Sequence, residues 1–249
     1  MKRLDIARPL VFAHRGACKV APENTLPAFE AAVQMGADGV ELDVQYSSDG
    51  ALVIFHNPRL NQTTDGEGRV TSHPLADLRK LDAGSWFDPK FAGTRIATLD
   101  EVLDLLKGKL LVNIEIKALD SATMGLGADV VKAVRGHSME DQVVMSSFNP
   151  MALRRAKGAG PEIEAGLLLA PDLPGWTRWA FTRNFSRANG LHPELPMVDE
   201  AYMVEARKLN LPVRVWTVNE PADMQRMIDL GVDGIITDYP DRALALLAK

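Results

Sequence analysis

Short apolar, β-branched runs alternate with segments of helical periodicity along almost the whole chain, and this rhythm limits the fold more than any other feature. Parallel strands need long crossovers, and a helix in each crossover lets the next strand lie beside the last. Strand-like runs fall at residues 10–13, 40–44, 110–117, 142–145, 164–169, 190–192, 213–218 and 234–237. Helical patterns occupy residues 25–35, 98–106, a basic stretch ending at Lys157, 221–230 and 242–247. With residues 46–96 set aside as an insertion after the second strand, the count is eight βα units. That is the arithmetic of a (β/α)8 TIM barrel, an α/β fold whose site lies at the C-terminal ends of its strands. The chain is long enough to form it as one domain spanning residues 1–249. An open doubly wound sheet is the alternative, but neither a Gly-rich dinucleotide fingerprint nor a Walker A sequence is present.

Local signals fill in the frame. Thr25 is a candidate helix cap with Pro27 in the first turn, and Thr98 with Glu101 three residues later reads as a capping box. Ser47-Ser48-Asp49-Gly50 is turn chemistry, followed by the strand-like run 51–55 that ends in His56. A hairpin of this length returns His56 to the acids of the second strand. The remainder of the insertion carries the Trp86-Phe87 pair, and its own aromatics are expected to make it compact.

The polar residues fall where a barrel would gather them. Glu41 and Asp43 share one strand face while Val40, Leu42 and Val44 share the other. The third strand adds Glu115 and Lys117, the first ends in His14 and Arg15, the seventh carries Trp216 with Asn219 beyond it, and the eighth ends in Asp238. All lie at one mouth. Glu41, Asp43 and Glu115 make an all-oxygen set suited to a hard divalent cation, Mg2+ or Ca2+, with Mn2+ also acceptable; the competing reading is an ion network neutralised by Arg15 and Lys117. His14 and His56 can serve as general acid and base near neutral pH. Arg15 offers a fork and Lys117 a point charge to an anionic substrate. His73, His137 and His192 read as structural. Trp176 and Trp179, with Leu173, suggest core packing or a wall of the substrate mouth.

A net charge of −5 with no basic block gives nucleic acid or an anionic membrane no obligatory role, and no apolar run reaches the roughly 20 residues of a membrane helix. Cys18 is the sole cysteine, so no internal disulfide can form. The basic start is followed by a short apolar part broken by Asp5, Arg8 and Pro9, which fits a cytoplasmic protein without a signal peptide. Monomer and homo-oligomer both remain open.

These residues together resemble the glycerophosphodiester phosphodiesterase family, of the bacterial cytoplasmic type. The resemblance is carried in order by His14-Arg15-Gly16, Glu23-Asn24-Thr25, Glu41-Leu42-Asp43-Val44, His56, Thr63-Thr64-Asp65-Gly66, residues 81–87, Thr98-Leu99-Asp100-Glu101, Glu115-Ile116-Lys117, Ser147-Phe148, residues 215–219 and Thr237-Asp238. It implies a TIM barrel with a small insertion and hydrolysis of glycerophosphodiesters to sn-glycerol 3-phosphate and an alcohol. By position it implies a divalent cation on Glu41, Asp43 and Glu115, acid–base work by His14 and His56, and phosphate contact by Arg15 and Lys117. Phe148 and Trp216 are expected to touch the small-molecule phosphodiester substrate. The alternatives are lysophospholipase D-type action on lipid diesters, with the tryptophans holding an acyl chain, and a catalytically silent phosphate-ester binder. The last is motivated by Asn57, which stands where the family usually has Asp after its second histidine; Ala97 likewise replaces a common proline.

Overall fold

In the computed structural model, residues 8–118, 123–173 and 180–248 are described. The strands that build the barrel are apolar outward and mixed inward, which a period of two produces when helices cover one face. β2 (Gly39–Tyr46) shows this: Val40, Leu42 and Val44 join the outer apolar cluster, leaving Glu41, Asp43 and Gln45 for the interior. β1 (Leu10–His14) pairs in parallel with β2, and after the hairpin strand β3 (Leu52–Ile54) the parallel series continues with β4 (Leu111–Ile116). β5 (Val143–Ser147), β6 (Glu164–Leu169), β7 (Gly190–Pro193), β8 (Arg214–Val215) and β9 (Gly234–Thr237) follow. The spatial order is β7-β6-β5-β4-β2-β1-β9-β8. Single parallel bridges, Leu191 to Val213 and Glu194 to Trp216, join β7 to β8. The ring of eight parallel strands is thereby nearly closed.

Helices fill the crossovers: α1 (Leu26–Gln34), then in the insertion α2 (Leu75–Leu78), then α3 (Leu99–Leu106), α4 (Leu126–Gly136), α5 (Pro150–Ala159), α6 (Ala180–Ser186), α7 (Glu200–Lys208), α8 (Pro221–Leu230) and α9 (Pro240–Leu247). Their apolar stripes pack on the outward strand residues in two large clusters, one over β1–β6 and one over β8 and β9. Inside the barrel, Leu10, Phe12 and Ile236 form a small apolar plug with Leu111 and Trp216. Phe12 fills its space so fully that a Cβ on Gly39 would lie 2.6 Å from the ring. The Arg214 guanidinium lies over the Phe12 ring, 5.9 Å from its centroid, so the plug shares the interior with a buried Arg214–Glu164 pair.

Between β2 and α3 the chain leaves the barrel. β3 runs antiparallel to β2, pairing Val44 with Ile54 and Tyr46 with Leu52 across a turn in which Gly50 takes φ +84°. The segment buries its own cluster of Val53, Phe55, Leu60, Val70, Leu78 and Ile96. That core is largely aliphatic, whereas Trp86 is 45% exposed and meets Phe87 edge-on at the surface, so the aromatics are not what makes the segment compact.

Three local expectations are corrected. The hydroxyl of Thr25 donates to the Pro22 carbonyl at 2.5 Å, and no side-chain bond caps α1. The apolar run 213–218 forms regular strand only at Arg214–Val215, because Trp216 N turns to the Pro193 carbonyl and Val218 N to that of Ile236. The last helix starts at Pro240, two residues early, since proline fits a first helical turn. Trp176 and Trp179 lie outside the described residues.

Candidate active site

The acids meet because β2 and β4 are neighbours in register, Glu41 beside Asn113 and Asp43 beside Glu115. One oxygen from each of Glu41, Asp43 and Glu115 lies within 4.8 Å of the others, and all three residues are buried. Asn24 holds Asp43 at two points: its amide donates to Oδ2 at 2.8 Å, and its carbonyl accepts from the Asp43 backbone N–H at 3.2 Å. Arg15 donates its backbone N–H to Glu41 Oε2 at 3.1 Å. Arg15 and Gly16 adopt φ values of +56° and +79°. Such a conformation is uncommon for a residue with a side chain, and it marks a loop shaped around the site.

Lys117 Nζ spans Asp43 Oδ1 at 2.8 Å and Glu115 Oε1 at 2.7 Å. Arg15 pairs with Glu23 at 2.9 Å and lies 3.7 Å from Asp43 Oδ2. Three carboxylates therefore share two cations, and the deficit shows in their acidities. Burial, with Asp43 and Glu115 alongside, pushes Glu41 well above the carboxylate range. Burial and Asp43 outweigh Lys117 and bring Glu115 up to about 7. Asp43 is also buried, yet the pull of Lys117, His56 and Arg15 holds it below its ordinary range. An oxygen-only donor set short of positive charge fits a hard divalent cation, and the triad could hold one.

The two histidines reach this cluster from opposite sides. His14, at the end of β1, sets Nδ1 2.7 Å from Asp238 Oδ1 and Nε2 3.9 Å from Glu41 Oε2. His56 follows β3, with Nδ1 3.0 Å from Asn57 Oδ1. The hairpin is pinned over the acids by Gln45, whose amide donates to the carbonyls of Phe55, His56 and Asn57 at 2.7, 3.1 and 3.0 Å. Burial lowers the pKa of His56 below the imidazole value; Asp43 opposes this, and Lys117 and Arg15 add to it. On the far side of the mouth, Phe148 and Trp216 meet edge-on with centroids 5.5 Å apart, and Phe148 is 37% exposed. All nine residues singled out in the sequence thus lie at the C-terminal ends of the strands or in the segments that follow them.

Residues 14–242 match the profile of the Glycerophosphoryl diester phosphodiesterase family. The chain belongs to this family. It is 42% identical over 97% of its length to the glycerophosphodiester phosphodiesterase of Caldanaerobacter subterraneus subsp. tengcongensis, covering 99% of that protein. The Bacillus subtilis glycerophosphodiester phosphodiesterase is 35% identical, with 94% of this chain and 85% of that one covered. Among solved structures, an Oleispira antarctica phosphodiesterase in complex with the product sn-glycerol-3-phosphate superposes with a TM-score of 0.90 at 32% identity, over 97% of this chain and 98% of that one.

The remaining histidines of this glycerophosphoryl diester phosphodiesterase family member are His73, His137 and His192. His73 bonds the Glu67 carbonyl, and His137 lies between Asp100 and Asp104 on the surface. His192 is fully buried inside the barrel, where its ring takes the space over Gly166. Sequence reasoning gave no role to Asn24 or Gln45, and it placed Asn219 and Asp238 at the mouth without partners. Asn24, Asn219 and Asp238 stand inside the motifs that carry the family resemblance, which was the available signal; Gln45 had only its inward strand position.

Proposed function

We propose that this chain hydrolyses glycerophosphodiesters to sn-glycerol 3-phosphate and an alcohol, with His14 and His56 as the acid–base pair and Glu41, Asp43 and Glu115 holding a divalent cation. One observation carries the reading: two imidazoles, each with Nδ1 engaged, flank a buried carboxylate triad that already lies beside Arg15 and Lys117. The family membership supports it, as does the product bound to the Oleispira protein. A bound Mg2+, Ca2+ or Mn2+ would supply positive charge against the phosphoryl oxygens.

The chain's own groups account for the rest. Arg15 and Lys117 hold the phosphate in place, and Phe148 and Trp216 wall the organic part of the substrate. His56, whose burial favours the neutral ring, takes the proton of the attacking oxygen. That oxygen comes from water or from the substrate's own glycerol 2-hydroxyl. As its bond to phosphorus forms, the bond to the leaving alkoxide breaks, and His14 gives that alkoxide a proton. His14 suits the donor role because Asp238 engages its Nδ1 and leaves Nε2 on the side of Glu41. If the 2-hydroxyl attacks, water then opens the cyclic phosphate with the two roles exchanged. The enzyme acts on free small-molecule diesters in the cytoplasm, as one single-domain barrel with residues 46–96 as a subdomain; among the described residues no helix is long and apolar enough to cross a membrane.

The test follows glycerol 3-phosphate release from a set of glycerophosphodiesters. Chelation abolishes turnover and added Mg2+, Ca2+ or Mn2+ restores it, Glu41→Ala loses that response, and His14→Ala and His56→Ala each lower kcat by about 10²–10⁴-fold. Full activity in both histidine variants, or ligand binding with no hydrolysis under any of the three cations, refutes the reading.

A further inference from the structure

We propose that Asp238, locked in place by Asn219, is the positioning residue that fixes His14 with its proton on Nδ1 and its Nε2 turned to the substrate. The inference rests on the acid–base reading above and deepens it.

The backbone brings the pair together before any side chain is considered. β1 and β9 are parallel neighbours with Ala13 opposite Thr237, so His14 and Asp238 take the next step of the same ladder at the mouth. Each oxygen of Asp238 then has its own partners. Oδ1 lies 2.7 Å from His14 Nδ1. Oδ2 accepts from the Asn219 amide at 3.0 Å and lies 3.2 Å from Lys19 Nζ. Asn219 also reads the backbone beneath it, its Oδ1 accepting from the Asp238 N–H at 3.0 Å and from the Thr237 hydroxyl at 3.2 Å. The Thr237 hydroxyl in turn accepts from the Tyr239 N–H at 3.0 Å. The carboxylate can neither rotate nor exchange its oxygens without breaking several of these bonds at once.

A carboxylate only accepts, so the ring nitrogen facing it must be the one that donates. Nδ1 then carries a proton throughout the cycle, and Nε2 is the atom that gains and loses one. A ring with the opposite tautomer would point its exchangeable lone pair at Asp238 and away from substrate. His56 reaches the same arrangement with a neutral oxygen from Asn57. Asp238 differs because its surroundings dictate what an amide would do there. In Asp238→Asn, Lys19 is a pure donor at the Oδ2 position and draws the amide oxygen to itself. The amide nitrogen then faces His14 Nδ1, which must accept, and the proton moves to Nε2.

The experiment records the ring nitrogen resonances of His14 by NMR in the ¹⁵N-histidine protein, assigned by comparison with His14→Gln, alongside kcat and KM for glycerophosphodiester hydrolysis. In the wild-type protein the neutral His14 ring carries its proton on Nδ1. In Asp238→Asn the proton is on Nε2, kcat falls about 10²–10⁴-fold, and KM changes less than threefold. Added to His14→Ala, Asp238→Asn costs no further activity, because it acts through the ring. A wild-type ring protonated on Nε2 overturns the proposal without any variant. So does a kcat in Asp238→Asn within twofold of wild type, or a further tenfold loss in the double variant. A merely structural tie between the first and last strands would lower thermal stability and leave the tautomer unchanged. If the wild-type protein releases no glycerol 3-phosphate, the hydrolytic reading fails, while the ring spectrum still decides the pairing.

Discussion

His56 has one side-chain hydrogen-bond partner, Asn57 Oδ1. Burial favours its neutral ring, Lys117 and Arg15 favour it further, and only Asp43 and the hydrogen bond to Asn57 Oδ1 pull the other way. A lowered pKa keeps His56 neutral through the ordinary imidazole range, so a base in this position loses activity only as pH falls below that range. Asn57→Asp would put a full negative charge on Nδ1 and favour the imidazolium. Its protonated, base-incompetent fraction would then persist to higher pH. The expected outcome is an acid limb of kcat/KM displaced to higher pH than in the wild-type protein, with activity above the limb retained. A pH profile with the limb unmoved would show that Asn57 does not tune His56.

α3 joins the insertion to the barrel, and its first turn is where that joint can be weighed. Thr98 Oγ1 accepts from the Glu101 N–H at 3.3 Å, while Glu101 Oε2 accepts from the Thr98 N–H at 2.9 Å. Glu101 also takes both arms of Arg79 from the insertion, at 2.7 and 2.8 Å. Thr98→Ala removes the cap alone and is expected to cost about 1 kcal/mol in denaturant unfolding. Glu101→Ala leaves the bond from the residue-101 N–H to Thr98 Oγ1 but removes the reciprocal bond from the Thr98 N–H together with the Arg79 fork, so it should cost more; the reverse order would show that the Arg79 fork contributes nothing. This cap was legible in the sequence because its partners are three residues apart, as was the alternation that faces Glu41 and Asp43 inward. What was not legible depends on closure of the ring. Asp238 meets His14 across 224 positions, and Asn24 reaches Asp43 only because the loop after β1 folds back over β2. The overlong seventh strand has the same origin, since beyond Val215 the chain keeps single bonds to β7 and β9, from Trp216 N and Val218 N, without a continuous ladder.

The barrel as a whole separates two kinds of interior charge. At the mouth the carboxylates meet Lys117 and Arg15, whereas deep inside Glu164 pairs with Arg214 at 2.5 Å and His192 lies fully buried nearby. Neither ring nitrogen of His192 has a hydrogen-bond partner among the described residues. Burial and the Arg214 charge hold its pKa well below the imidazole value, so the folded protein keeps His192 neutral. The unfolded chain protonates the same side chain near its ordinary pKa of about 6.5. Below that pH the unfolded state binds a proton that the folded state refuses, and stability falls as pH falls. The contribution is complete above the unfolded value and is lost at up to about 1.4 kcal/mol per pH unit beneath it. His192→Leu removes the titrating ring and leaves the backbone carbonyl that accepts from Trp216 Nε1. Denaturant unfolding of both proteins between pH 7 and pH 5 should therefore give a shallower loss of stability in His192→Leu. Equal slopes would mean that the folded barrel admits the proton, and with it the water needed to solvate a charge beside Arg214.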